Sequence, residues 1–197
     1  MNKSQMPTIP SKSRFADKTC AATHKGLQCL LLLTAICILI SPAGAQQIPD
    51  TQTKALDGSS VHVPDASSGK PLLFVIGFSH QSSDPCGAWN KRISPLYLND
   101  SSILYYEAAD LQNVPSLVLR MVLHGMKKDI PANQHSRFLI LQSNDAEWKN
   151  AVKFSAPNDA YILLTNPAGH IVWQTHGAVT DEQFSALQAA VKTHLGN

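Results

Sequence analysis

Hydrophobic and polar positions along this 197-residue chain change period several times, and each change marks an element. Residues 27–40 are apolar except for Gln28 and Thr34. A run of about 14 residues falls short of the roughly 20 that cross a bilayer. Lys3, Lys12, Arg14, Lys18 and Lys25 precede it against one acid, Asp17. Ser41-Pro42 then interrupts any helix, and Ala43-Gly44-Ala45 places small side chains at −3 and −1 before Gln46. Positive, apolar, small-x-small is the secretory pattern, so residues 1–45 are expected to be a signal peptide cleaved after Ala45. An uncleaved anchor is the alternative. The long basic block also suits a start at Met6. Neither Cys29 nor Cys37 follows a small residue, as a lipoprotein site would require.

After this segment, strand and helix patterns alternate. Residues 46–54 read as a polar lead-in, and a folded domain is expected over 55–197. Residues 56–63 alternate around Asp57-Gly58 and predict a small hairpin. Residues 72–78 are continuously apolar, the pattern of a strand buried on both faces. Asp84-Pro85 reads as an N-cap with proline at the first helical position, opening a helix through Trp89 and Ile93 toward Pro95. Residues 103–106 predict a second core strand. Val114-Pro115 starts a helix with apolar pairs Leu117/Val118 and Met121/Val122, ending near Gly125. Residues 137–141 give a third strand and 145–152 a short helix. Residues 161–164 and 170–173 flank Asn166-Pro167-Ala168-Gly169, which makes them a hairpin. Thr180 and Gln183 form a capping box for a last helix, whose buried face is Phe184, Leu187, Val191 and Leu195. Strands alternating with helices and closed by a hairpin and a helix predict an α/β three-layer sandwich with a mixed central β-sheet.

Charge changes the picture once the first segment is set aside. The chain holds 16 basic and 14 acidic side chains, but residues 46–197 hold 11 against 13. The basicity belongs to the export segment, and no cluster of positive charge in the sequence beyond it suggests nucleic-acid binding. Of four cysteines, Cys20, Cys29 and Cys37 lie in the same segment. Cys86 alone would remain in the exported domain. That domain must rest on its apolar core rather than on an internal disulfide, and its thiol is either buried or chemically employed.

Phe78 closes the first core strand, and five residues later Ser83-Asp84-Pro85-Cys86 opens a helix. This arrangement resembles the thioredoxin-like superfamily, in which Cys-Gly-Pro-Cys follows such a strand at the same distance. The resemblance covers nearly all of 55–195 and implies a thioredoxin-like sandwich. It sets Ser83 at the attacking cysteine, Asp84 at the glycine, Pro85 at the proline and Cys86 at the resolving cysteine. The superfamily's cis-proline precedes the penultimate strand; Pro157 lies in that region, four residues before Tyr161. Gly77-Phe78-Ser79, Trp89 and the closing strand pair with Trp173 are similar to the mitochondrial ATP-synthase assembly factor family and its exported bacterial relatives. Those proteins look like thioredoxin folds that do not keep the dithiol. The resemblance therefore implies a binding or assembly module acting on another protein.

The candidate chemistry centres on Cys86. At the second position of a helix its thiol would feel unpaired N–H groups that favour the thiolate, whereas Asp84 and burial oppose it. A dithiol reductase needs a second thiol to release the mixed disulfide. A one-cysteine peroxidase or thiol-dependent reductase is the alternative function. Ser83-x-x-Cys86 is similar to the Thr-x-x-Cys of peroxiredoxins, although Ser79 stands where that family has proline. Arg120 and Arg137 are the candidates to activate a peroxide. His80 could approach Cys86, with His170 or His176 at the same end of the sheet. No histidine or cysteine pair has metal-ligand spacing, so no metal and no cofactor is expected. His80, Asp84, Pro85, Trp89 and Pro157 are the candidate binding residues, core packing being the alternative for the tryptophans. The expected location is periplasmic or extracellular, with membrane contact only through an uncleaved first segment.

Overall fold

A strand apolar on both faces has to be covered on both, and Leu72–Gly77 (β3) is buried at every position. The computed structural model describes residues 46–195; the signal-peptide and anchor readings of 1–45 lie outside the described residues. β3 runs parallel to Leu104–Asp110 (β4), which runs parallel to Phe138–Leu141 (β5). On its other side β3 pairs antiparallel with Ala160–Thr165 (β6), and β6 with Ile171–His176 (β7). Thr51–Ala55 (β1) and Ser60–Val63 (β2) complete a mixed sheet of order β2-β1-β5-β4-β3-β6-β7.

The two-residue period of β3 divides the core. Leu73 and Val75 meet Trp89 and Ile93 of Ser83–Tyr97 (α1) and Phe184, Leu187 and Val191 of Asp181–Leu195 (α4). Leu72, Phe74 and Ile76 face the opposite layer, with Trp148 of Asp145–Ala151 (α3) and Val152 just beyond it. The three-layer α/β sandwich is the expected architecture. Phe74 and Ile76 are fully buried in the centre, and Ile140 lies in β5.

Residues 46–54 are not a lead-in. They hold β1, whose inward positions include the buried hydroxyls Thr51 and Thr53 in place of the expected hydrophobic residues. Thr53 Oγ1 donates to the Ile140 carbonyl at 2.6 Å, and Trp148 Nε1 donates to Thr51 Oγ1 at 3.0 Å. Earlier still, Ile171 N–H donates to the Gln46 carbonyl and Ile48 N–H to that of Gly169. The Asp57-Gly58 turn is therefore the link from β1 to β2, one strand earlier than the 56–63 hairpin, with Gly58 at φ 96°. β4 extends beyond residue 106 through Glu107 to Asp110, because a half-buried polar position interrupts the apolar pattern without ending the strand. α1 runs past Pro95 to Tyr97. The crossover helix Ser116–Asp129 (α2) has no buried residue, and its expected apolar contacts Leu117, Val118 and Met121 face solvent. At the last helix, Gln183 N–H donates to Thr180 Oγ1, but the Gln183 amide turns to Thr175 Oγ1 rather than closing the capping box.

Candidate functional site

Where β3 ends, the chain must turn from strand into helix within a few residues, and a pair of serines does this. A tight 3-10 turn, His80–Ser82, follows Ser79. Ser82 N–H donates to Ser79 Oγ at 3.2 Å, while Ser79 N–H donates to Ser82 Oγ at 3.3 Å. Ser82 Oγ also donates to the Ser79 carbonyl at 2.7 Å. This reciprocal cap replaces the expected Asp84 cap: Ser82 already has helical φ and ψ, so α1 starts at Ser83. Asp84 and Pro85 become its second and third residues, and Cys86 its fourth. Gly77 makes the close approach possible. A Cβ there would stand 2.5 Å from Ser82 Oγ and 3.2 Å from Cys86 Sγ.

Cys86 is partly buried against the α1 face of the sheet. Burial pushes its thiol up to about 12, the Glu107 carboxylate adds to the shift, and a hydrogen bond with Ser82 opposes it. Burial opposes the thiolate as expected; one feature of the sequence reading is corrected, since the acid that adds to the push is Glu107 rather than Asp84. The 3-10 turn absorbs part of the helix N-terminal field, since Ser83 N–H already donates to the His80 carbonyl. At neutral pH the thiol is almost wholly protonated. Glu107 is itself raised, to about 7, by burial, opposed by hydrogen bonding with Tyr105 and Asn90. Tyr105 Oη donates to Asn90 Oδ1 at 3.1 Å, one turn along α1 from Cys86.

The remaining candidates separate. Ser83 is exposed, its hydroxyl donating to the His80 carbonyl at 2.7 Å. His80 and Asp84 are exposed beside it and Pro85 is half-buried. Among the described contacts none joins the His80 ring to Cys86. Trp89 is fully buried, with Nε1 donating to the Gly177 carbonyl at 3.0 Å, so it is core rather than a binding face. Trp173 packs partly buried against the same cluster. Pro157 is exposed, and the cis bond among the described residues is Val63–Pro64, not the one before Pro157. Its neighbour Asn158 nevertheless reaches the turn, Oδ1 accepting from Ser79 Oγ at 3.1 Å. His170 pairs with Gln47, at the far end of β7 from His176. Among the described residues no group of three or more His, Cys, Asp or Glu is placed to hold a metal.

Sequence reading missed an aromatic rim at this end. Phe78 meets Phe154 and Tyr161 edge-on at 5.3 and 5.5 Å, and Phe154 stacks on Tyr161 at 5.6 Å. His176 stacks on the outer side of Tyr161 at 5.4 Å, its Nδ1 2.6 Å from Asp159 Oδ2. Lys149 Nζ lies 5.2 Å from the Phe154 ring centre. Tyr161 Oη accepts from the N–H groups of Ser155 and Ala156 and donates to the Ala156 carbonyl, which fixes the loop carrying Pro157. The β6–β7 pairing sets Tyr161 opposite His176, a contact that no local stretch of sequence contains.

A turn-to-helix junction at the carboxyl end of the central strand of a mixed sheet has counterparts among proteins of known structure. The family model described as ATP10 protein matches residues 43–193. The chain belongs to the ATP10 family of ATP-synthase assembly factors. Solved structures show the fold of this ATP10-family chain to be thioredoxin-like. The thioredoxin domain of a thiol-disulfide oxidoreductase from Bacteroides vulgatus superposes with TM-score 0.53 at 17% identity, over 77% of this chain and 99% of that one. The exposed lipoprotein thioredoxin of Streptococcus pneumoniae gives TM-score 0.53 at 11% identity, over 72% and 98%. A Sco-family cytochrome c oxidase assembly protein with a disulfide switch gives 0.50 at 9%, over 76% and 95%. No curated protein matches the chain by sequence.

Proposed function

We propose that this ATP10-family protein is an exported module that binds or assembles another protein without thiol–disulfide exchange. The observation that supports this most directly is the state of Cys86. Exchange begins with a thiolate attacking a disulfide sulfur and ends when a second thiol releases the mixed disulfide. Here the outer position is the exposed hydroxyl of Ser83, and the sulfur behind it is held protonated by burial and Glu107. A one-cysteine peroxidase would need that same sulfur as a thiolate, which its surroundings oppose. What this end of the fold offers outward is suited to protein contact: exposed His80, Gln81, Ser83 and Asp84, the half-buried edges of Phe78 and Phe154, and exposed His176. Export follows from the secretory pattern of residues 1–45.

The test compares three versions of the tagged protein crosslinked in its own host. The Cys86→Ser variant should retain the crosslinked partner, the exposed pair His80→Ala/Asp84→Ala should lose it, and the wild type should reduce no insulin disulfides. Disulfide reduction by the wild type, or partner loss on Cys86→Ser alone, would overturn the proposal.

A further inference from the structure

Away from this site, an open cavity of about 330 Å³ lies between α2 and the β1–β5 part of the sheet. Its floor includes Leu123 and Ile140, and its walls carry Lys54 from β1 with Arg120, His124 and Lys127 from α2. Helix positions 120, 124 and 127 fall on one stripe, spaced i, i+4, i+7. On a crossover helix the stripe turned toward the sheet is ordinarily apolar and close-packed. Here Leu119, Val122, Leu123 and Met126 are the half-buried stripe, and the exposed Arg120, His124 and Lys127 edge the cavity beside it, while Leu117 and Met121 stand 78% and 72% exposed. Among the described residues no acid lines the cavity, and none of the described ion pairs takes Lys54, Arg120, His124 or Lys127. The cluster is not general basicity, because residues 46–197 carry more acids than bases.

We propose that this cavity binds an amphipathic anion, a single acyl chain headed by a phosphate or carboxylate. The head sits among Lys54, Arg120 and Lys127, where charge-assisted hydrogen bonds replace mutual repulsion. The chain lies on Leu123 and Ile140. A volume near the lower end of ligand pockets, about 300–1,000 Å³, suits one chain rather than a two-chain lipid.

Calorimetry on the purified protein tests this, with dodecyl phosphate below its micellar concentration, inorganic phosphate, dodecyltrimethylammonium, and phosphatidylcholine vesicles containing phosphatidylglycerol. Saturable binding of dodecyl phosphate, weakened by added salt and weakened roughly tenfold or more in Arg120→Gln/Lys127→Gln, is expected. Lys192→Gln on α4 should leave it unchanged. Binding of the vesicles in addition, lost in the same double variant, would support the site with a membrane lipid as the source of the anion. Dodecyl phosphate binding without the vesicles would support it with a free amphiphile as the source. Equal affinity for the cationic amphiphile, equal affinity for inorganic phosphate, vesicle binding alone, or an unchanged double variant would overturn it.

Discussion

At Cys86 two influences compete, and the geometry decides between them. The first turn of a helix favours a thiolate, but the 3-10 turn ahead of α1 occupies part of that field, while burial and Glu107 favour the thiol. Glu107 has consequences of its own. Its folded-state value of about 7 lies above the ordinary 4.5, so between those two values the native protein holds a proton that the unfolded chain has released. Stability from this group therefore falls as pH rises from about 4.5 to 7, by on the order of 3 kcal/mol in total. Urea unfolding of Glu107→Gln should show that decline largely flattened; an identical slope in wild type and variant would refute the assignment. Gly77 gives a second residue-scale prediction. Alanine there meets a serine hydroxyl held by hydrogen bonds on both sides, so Gly77→Ala should cost about 1–3 kcal/mol. A neutral effect on the urea midpoint would mean that the turn yields.

Among the elements, those whose period matched their burial were legible in advance. β3, β6 and α4 carry apolar residues where the core needs them, and their places follow from pattern alone. Elements that bury polar atoms were not. Thr51 and Thr53 fill core positions of β1 because Trp148 and the Ile140 carbonyl meet their hydroxyls, a long-range pairing that no local window contains. Glu107 hid the second half of β4 in the same way, and with it the carboxylate that adds to the effect of burial on Cys86. Of the candidate site, the Phe78 to Cys86 spacing was readable, and the rim was not, since Phe154 meets Tyr161 from the link before β6 and His176 meets it only when β6 and β7 pair. Trp89, read as a binding candidate, instead ties α1 to Gly177 beyond β7. Trp89→Phe keeps most of the packing and leaves the Gly177 carbonyl without this donor, for an expected loss of about 1–3 kcal/mol by thermal or urea unfolding. No change at all would mean that the indole bond contributes nothing.

Across the whole molecule, a thioredoxin-like sandwich of the ATP10 family sets a turn-to-helix junction at the carboxyl end of its central strand, with Ser83 and Cys86 on it. The scaffold presents the carboxyl end of β3 to the outside. Ser83 stands at the surface, Cys86 sits behind it, and an aromatic rim borders the turn. If the export reading is right, the intact mass of the secreted protein matches a chain beginning at Gln46 or its pyroglutamate form, and a full-length mass in the membrane fraction contradicts it. The central claim, that Cys86 does no thiol chemistry, is tested most directly by its alkylation rate in the native protein as a function of pH. The structure predicts slow labelling at neutral pH and a rate still rising well above the free-thiol midpoint of about 8.5. Rapid labelling at pH 7 that reaches a plateau below that midpoint would show a poised thiolate and contradict the account.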